Sequence, residues 1–360
     1  MNVAVLGSGN GGCALAFDFS QHGHQVRLFD FPEFVTNIQA IREQRGIHST
    51  GDLNGFAPIH YSGHDIAEAM KDVHLVFLVG PAYSTEPLAV ACAPYLKSGQ
   101  VVIVCPSSCG GSLEFVLSAG LNSGTHEVIV AETSTLPYAV RVDQPGRIKV
   151  YLRLRGGVQL AALPARQTET VIERIRDVFP FVTPAANVLQ TSLQNGNPVI
   201  HPAVTLLNAA IIEHTSGDFL FYEEGVTPAV GRLMQAVDQE RIALGKALGF
   251  NVIPDPELGC RQGYMEIPSY DTGFSTAPGF KGIKAQNSLD HRYFREDVGY
   301  GLVFMKHLGD QLGVDVPNIS SLIRIISTIM GRDYLSEAPR TLKRYGLADH
   351  TAEELIAALN

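Results

Sequence analysis

The stretch LQNGNPVIHP (193–202) contains a histidine one helical turn after an asparagine. Asn197 precedes Pro198, which is typical of a helix N-cap followed by proline at the first helical position. His201 then falls on the same helix face as Asn197. Because histidine titrates near neutral pH, we expect His201 to be an acid–base residue. We expect Asn197, on the same face at the start of the helix, to be a substrate contact. The alternative is a histidine that only packs or caps.

The stretch LDHRYFREDVGYGLV (289–303) contains the second set of reactive side chains. Arg292 can hold a carboxylate through two parallel hydrogen bonds. Asp297 can orient a histidine and stabilise its protonated form. The alternative is that Glu296 and Asp297 cap a helix while Arg292 lies in solvent.

A third stretch, AETSTLPYAVRV (131–142), has a run of hydroxyl side chains after a predicted strand. Thr133, Ser134 and Thr135 lie where a substrate contact would fall. Hydrogen bonding within a turn explains the same residues equally well.

The first 30 residues contain the spacing G-x-G-x-x-G between an apolar strand and an amphipathic helix. Gly7 would permit the tight turn, Gly9 the close approach of a pyrophosphate, and Gly12 the packing of helix on strand. Free N–H groups at the helix start would receive the phosphates. We therefore predict a dinucleotide-binding loop, completed by Ser8, Asn10 and Gly11.

An acidic residue ends the next predicted strand, roughly 20 residues further on. Asp30 can accept hydrogen bonds from ribose hydroxyls and would repel a 2′-phosphate. The residues that follow, Phe31, Pro32 and Glu33, provide no cation for such a phosphate. The sequence therefore favours NAD(H) over NADP(H).

Two further strand ends would face the same ligand, because ligands bind beyond the carboxyl ends of parallel strands. FLVGPAYS ends one strand near Pro81, and VCPSSCGG ends another near Ser107. We expect both residues to contact the cofactor. Ordinary strand-to-helix turns use the same small residues.

The elements that position these residues alternate in the first half of the chain. Apolar strands separated by amphipathic helices predict an α/β domain with a doubly wound, mostly parallel sheet of the Rossmann type. The predicted strands are 2–7, 25–30, 73–80, 100–106 and 126–132, and the predicted helices are 11–22, 32–45, 64–70, 84–97, 111–121 and 166–178.

Two alternating runs flank Gly156 and Gly157, which predicts a hairpin over 147–165 that extends the sheet. Beyond it, apolar residues recur at helical spacing over 197–214, 227–249, 294–313 and 318–331. We therefore predict a nucleotide-binding domain over 1–182 and an all-α substrate-binding domain over 183–360.

Composition excludes several classes of protein. The formal net charge of -9 disfavours a nucleic-acid binder, and no apolar run is long enough to span a membrane. Five cysteines without a C-x-x-C pair form neither a disulfide framework nor a metal site. Met1 is followed at once by a strand-like segment, so we expect no cleaved signal and a cytoplasmic protein.

At these motifs the chain resembles the opine dehydrogenase (octopine/nopaline dehydrogenase) family, in particular its bacterial branch, typified by N-(1-carboxyethyl)-norvaline dehydrogenase. The resemblance covers nearly the whole chain. It rests on VLGSGNGG at the start, GGSLEF (110–115), ETSTLPYA (132–139), LQNGNPVIHP, TLLNAA (205–210), YEEGVTP (222–228), VDQERIA (237–243) and RYFREDVGYGLV.

The resemblance implies that an α-amino acid condenses with an α-keto acid and that NAD(P)H reduces the resulting imine to a secondary amine. It also implies that His201 and Asp297 are catalytic and that Arg292 and Thr135 bind substrate. The small-molecule partners would be an amino acid and a keto acid. The family includes monomers and homodimers, and both states stay open.

Two alternatives remain. One is a related two-domain dehydrogenase of the ketopantoate reductase or glycerol-3-phosphate dehydrogenase type, but those families use a lysine early in the second domain. No lysine lies between positions 150 and 245. The other is a non-catalytic NAD-binding sensor, which would not need the His201, Arg292 and Asp297 set.

Overall fold

The computed structural model describes residues 1–121 and 128–360. The chain divides into two compact units, Met1–Thr191 with Asn360, and Ser192–Leu359. The boundary therefore falls later than the predicted one at 182/183. The reason is that strand Val182–Pro184 still pairs within the first unit's sheet and is followed by a helix at Val188–Leu193.

The first unit contains the predicted alternation of strands and helices, with additional strands. Its strands are β1 (Asn2–Leu6), β2 (Gln25–Phe29), β3 (Gly46–Gly51), β4 (Gly55–Pro58), β5 (Tyr61–Gly63), β6 (Leu75–Leu78), β7 (Val101–Val104), β8 (Ile129–Thr133), β9 (Tyr138–Gln144), β10 (Arg147–Arg153), β11 (Val158–Leu163) and β12 (Val182–Pro184). The additional strands are β3, β4, β5, β9 and β12. Its helices are α1 (Asn10–Gln21), α2 (Val35–Gln44), α3 (Ile66–Ala69), α4 (Thr85–Cys92), α5 (Gly111–Ser118), α6 (Thr168–Ile175) and α7 (Val188–Leu193), which crosses the boundary. Residues 126 and 127, predicted to begin the β8 strand, lie outside the described residues.

Eight strands form the main sheet, in the order β12-β11-β8-β7-β6-β1-β2-β5. All neighbouring pairs are parallel except β11 with β8, which is antiparallel. β6 and β7 consist only of buried residues, because helices cover both faces of a parallel sheet. This arrangement confirms the predicted Rossmann-type sheet.

A second, four-stranded sheet has the order β4-β3-β10-β9 and was not predicted. β10 pairs antiparallel with β9 and parallel with β3, whereas β11 joins the main sheet. The prediction that the segment 147–165 extends the main sheet with an antiparallel strand is therefore confirmed for β11, but the predicted hairpin is wrong because β10 and β11 lie in different sheets. β10 instead forms a hairpin with β9, through a turn where Gly146 has a left-handed φ of 72°.

The second unit is helical, as predicted for the second domain. Over its described residues it holds the end of α7, then α8 (Asn197–Leu207), α9 (Ala209–Thr215), α10 (Pro228–Ala247), α11 (Asp255–Gln262), α12 (Thr272–Ser275), α13 (Arg292–Arg295), a π-helix (Asp297–Leu302), α14 (Val303–Leu312), α15 (Pro317–Met330) and α16 (Ala352–Leu359). The long helix α10 packs against α8, α14 and α15. Across residues 1–121 and 128–360, every helix is too short or too polar to traverse a lipid bilayer.

Candidate active site

The glycine loop between β1 and α1 has the geometry of a phosphate cradle. Gly7 has a φ of +114°, and a Cβ there would lie 2.1 Å from the Val79 carbonyl oxygen. A Cβ on Gly12 would lie 1.8 Å from the Gly7 carbonyl oxygen, so both positions require glycine. A Cβ on Gly9 would meet no atom of the described residues within 4 Å. Space is therefore open beside Gly9, at the start of α1, where backbone N–H groups lack intrahelical partners.

Asp30 follows β2 and fixes this loop. The Ser8 N–H and hydroxyl both donate to Asp30 Oδ2, each at 2.7 Å, and the Phe31 N–H donates to Oδ1 at 2.9 Å. A carboxylate accepts about four hydrogen bonds, so Asp30 retains capacity for a ligand hydroxyl. Its position is consistent with the predicted ribose contact.

Two asparagines attach the second sheet to the loop. The Asn37 side chain donates to the Ser8 carbonyl oxygen and accepts the Gly146 N–H at 2.7 Å. The Val142 N–H donates to Asn10 Oδ1 at 2.6 Å. The predicted residue Asn10 therefore positions the β9–β10 hairpin. Asn37 was missed because no local motif marks it.

A cavity of about 640 Å³ lies beside the loop. Its wall combines loop residues with apolar and aromatic side chains, and it includes these residues predicted to bind cofactor: Gly7, Ser8, Gly9, Asn10, Asp30 and Pro81. Of the described residues that line it, none is a lysine or an arginine. An open glycine cradle, a helix start and a facing carboxylate suit a dinucleotide.

Two residues predicted to contact ligands lie elsewhere in the first unit. Ser107 is fully buried, and its hydroxyl accepts the Gly111 N–H at 3.1 Å, so it caps the start of α5 instead of lining the cavity. Thr135 is half-buried in the loop between β8 and β9. Gly11 and Gly12 lie in α1 and also stand outside the cavity wall.

In the second unit, α8 begins one residue earlier than predicted. Gly196 is the N-cap and Asn197 the first helical residue, whose N–H donates to Asn195 Oδ1 at 3.1 Å. The N-cap prediction for Asn197 is wrong because the Asn195 side chain already provides the local acceptor. Asn197 is half-buried, and His201, one turn later, is buried.

His201 and Asp297 form a direct pair. The His201 Nδ1 atom lies 2.8 Å from Asp297 Oδ2, and both side chains are almost inaccessible to solvent. The other ring nitrogen, Nε2, lies 3.2 Å from the Tyr222 hydroxyl. The Tyr293 ring stacks on the imidazole, with centroids 3.9 Å apart. None of these contacts could be predicted from the spacing of the residues in the sequence.

The π-helix brings Asp297 to α8. Asp297 is its first residue, and the π-helix packs against α8. A Cβ on Gly301 would lie 2.5 Å from Pro198 Cγ, so this glycine permits the close approach. Single π-helical turns are frequent at functional sites.

Burial raises the pKa of Asp297 to about 7, although the positive charge of Arg292 opposes the shift. Burial would lower the pKa of Arg292, but the negative charges of Glu296 and Asp297 outweigh it and raise that pKa above its usual value. The Arg292 side chain is 41% exposed, with its Nη1 atom 3.4 Å from Glu296 Oε2. Arg292 is therefore a permanent cation that is accessible to a ligand.

Sequence reasoning missed three residues of this cluster. Tyr293 and Glu296 lie within the RYFRED stretch, next to residues that were chosen, so proximity was an available signal. Tyr222 lies far from both stretches, in YEEG, and had no local signal. Within the described residues, no group of three or more His, Cys, Asp or Glu side chains could hold a metal ion.

Known proteins resemble both halves of the chain. Residues 184–330 match the family described as NAD/NADP octopine/nopaline dehydrogenase, alpha-helical domain. Residues 2–131 match the family described as NAD-dependent glycerol-3-phosphate dehydrogenase N-terminus. The glycerol-3-phosphate dehydrogenase match covers only the nucleotide-binding half, whereas the helical half matches the octopine/nopaline dehydrogenases.

Full-length relatives agree with the helical-domain match. The chain is 36% identical to an opine dehydrogenase of Arthrobacter sp. (strain 1C), over 99% of this chain and 98% of the relative. It is 27% identical to the protein ocs of Agrobacterium tumefaciens (strain Ach5), over 99% of each chain. The fold matches octopine dehydrogenase solved with NADH and L-arginine, with a TM-score of 0.79, 18% identity and coverage of 99% of this chain and 98% of that one. The chain therefore belongs to the opine dehydrogenase family of NAD(P)-dependent oxidoreductases.

Proposed function

We propose that this enzyme condenses an α-amino acid, or a related amine, with an α-keto acid and reduces the product to an N-(1-carboxyalkyl) amino acid. The reverse oxidation uses the same groups. The observation that carries the proposal is the buried His201–Asp297 pair, in a member of this family. Arg292 lies five residues before Asp297 in the sequence, and its positive charge interacts with the Asp297 carboxylate. Condensation needs proton transfer, and both substrates bear carboxylates.

His201 and Asp297 act as the acid–base pair. Attack of the amine on the keto carbon gives a carbinolamine, whose hydroxyl must gain a proton before it leaves as water. The His201–Asp297 pair supplies that proton, and the raised pKa of Asp297 keeps a proton available to the pair near neutrality. When bound, the reduced nicotinamide supplies the hydride that converts the imine to the amine.

Arg292 binds a substrate carboxylate. Its guanidinium lies over the Tyr293 ring, 5.2 Å from the centroid, which limits its orientation while leaving donors for a ligand. We keep Thr135 and Asn197 as further substrate contacts, since both are half-buried polar residues. We assign neither residue a role in the chemical steps of the reaction.

NAD(H) is the proposed cofactor. The Asp30 carboxylate lines the cavity, and a 2′-phosphate there would meet a negative charge. No lysine or arginine of the described cavity wall offers compensation. The residues proposed to hold the cofactor are the glycine loop, Asp30 and Pro81. Ser107 is not among them, because it does not line the cavity.

The test is NADH oxidation at a fixed keto acid concentration with and without a panel of amino acids. The rate should depend on the amine, and oxidation of NADH by the keto acid alone would refute the proposal. His201→Ala should lower kcat by about 10²–10⁴-fold with NADH affinity unchanged. The matched control is His214→Ala, an exposed histidine of α9, which should keep wild-type turnover.

A further inference from the structure

Both ring nitrogens of His201 are already engaged. Nδ1 faces Asp297 at 2.8 Å and Nε2 faces the Tyr222 hydroxyl at 3.2 Å. An imidazole nitrogen has one in-plane hydrogen-bonding direction, so each of these contacts occupies its nitrogen. A substrate that takes a proton directly from Nε2 must first displace the Tyr222 hydroxyl.

Displacing Tyr222 is unfavourable because its ring is held on two sides. Tyr222 is 6% exposed. Its ring stacks on Phe280, with centroids 4.2 Å apart and 14° between the planes. It also meets Phe221 edge-on at 5.0 Å. Aromatic pairs in these geometries stabilise a fold beyond their area burial, so swinging the ring away would lose both contacts.

We propose that the Tyr222 hydroxyl is the group that exchanges the proton with the reacting substrate, with His201 and Asp297 behind it as its proton source. This inference rests on the proposed function. It makes Tyr222 a catalytic residue, and it makes His201 the relay between Tyr222 and the Asp297 carboxylate.

The step balances as follows. The Tyr222 O–H proton passes to the carbinolamine hydroxyl, the C–O bond breaks, and water leaves with an iminium ion remaining. The Tyr222 oxygen takes the proton from His201 Nε2, so the imidazolium becomes neutral imidazole. The net change is one proton moved from His201 to the departing water, with no change in oxidation state.

A phenolic hydroxyl suits this position because it both donates and accepts. It donates to Nε2 when His201 is neutral and accepts from Nε2–H when His201 is protonated, without a movement of the ring. The positive charge of Arg292 also interacts with Tyr222, and it favours the transient phenolate.

Tyr222→Phe tests the inference, because it keeps the aromatic stack and removes only the hydroxyl. The relay predicts a fall in kcat of about 10²–10⁴-fold with NADH affinity and thermal stability unchanged. If His201 acts directly, the variant should keep or increase its kcat, since Nε2 becomes accessible; that result would overturn the inference. The matched control is Tyr264→Phe. The Tyr264 ring also stacks on Phe280, with centroids 4.9 Å apart, so this variant removes a hydroxyl from the same aromatic cluster and should leave kcat unchanged.

A second measurement separates catalysis from structure. Incorporating 3-fluorotyrosine at position 222 makes the phenol more acidic with little change in volume. The relay predicts that the alkaline limb of the kcat–pH profile moves to lower pH, whereas a packing role leaves it in place and contradicts the inference. A wild-type enzyme inactive with every amine and keto acid pair would instead refute the proposed function, and the inference with it.

Discussion

Replacing Asp297 by asparagine removes a charge from the His201 pair while preserving its volume. In the wild type the Nδ1–Oδ2 distance is 2.8 Å and both side chains are buried. A hydrogen bond to a charged group contributes about 1.5–3 kcal/mol and a neutral one about 0.5–1.5 kcal/mol. The variant should therefore lose about 1–2 kcal/mol of imidazolium stabilisation, which lowers kcat about 5–30-fold.

The pH dependence of this loss follows from the pKa of Asp297, which burial raises to about 7. Above that pH the wild-type carboxylate is ionised and the variant differs most from it; below it the difference shrinks. The assay is kcat from NADH absorbance at pH 6 and pH 8, with NADH affinity measured by fluorescence. Asp310→Asn, which removes an exposed carboxylate paired with Lys306, is the control. A kcat ratio that is constant across this range would refute the reasoning.

Asp297→Asn should increase folding stability, although it lowers kcat. A raised pKa in the folded state means that ionising Asp297 destabilises the protein progressively as pH rises from about 4 to above 7. Asparagine cannot ionise, so the free energy of unfolding of Asp297→Asn should increase relative to wild type over that window. Urea denaturation at pH 5 and pH 8 measures this difference, and a difference independent of pH would contradict it.

Three further variants test the binding residues. Arg292→Ala should raise the KM for the keto acid by at least tenfold because a carboxylate loses its cation, whereas Arg295→Ala, whose side chain is exposed and paired with Asp290, should not; KM values from initial rates decide this. Asp30→Asn should narrow the proposed preference for NADH over NADPH in fluorescence titrations, and an unchanged ratio would remove Asp30 from cofactor discrimination. Gly9→Ala should weaken NADH binding without lowering the melting temperature, since its Cβ meets no protein atom, whereas the Cβ of Gly12→Ala would meet a carbonyl oxygen at 1.8 Å and should destabilise the fold.

The Rossmann-type sheet was predictable because its signals are local. The five strands predicted for it, β1, β2, β6, β7 and β8, are short apolar runs, whereas β5 and β12 are three-residue strands that no apolar run marks. The second sheet was not predictable in this way, since β3 pairs with β10 across about a hundred residues, as in His48 beside Arg147. The Gly156–Gly157 pair does lie between two strands, β10 and β11, but a glycine pair does not say which strands pair.

The candidate site residues could be named one by one from the sequence, but their geometry could not be predicted. His201 and Asp297 were chosen from separate stretches, and only the folded chain shows that they are 2.8 Å apart. The contact depends on Gly301 facing Pro198, which no spacing rule encodes. Tyr222 reaches His201 from a third segment, and Ser107 looked like a ligand contact but caps a helix.

The most direct test of the central claim is the isotopic composition of the product. The reaction is run with a ¹⁵N-labelled amino acid, a keto acid and NADH deuterated at the transferable position, and the product is analysed by mass spectrometry. We predict a secondary amine that carries both one ¹⁵N and one deuterium, the latter on the former keto carbon. A deuterated hydroxy acid that contains no nitrogen would contradict the account.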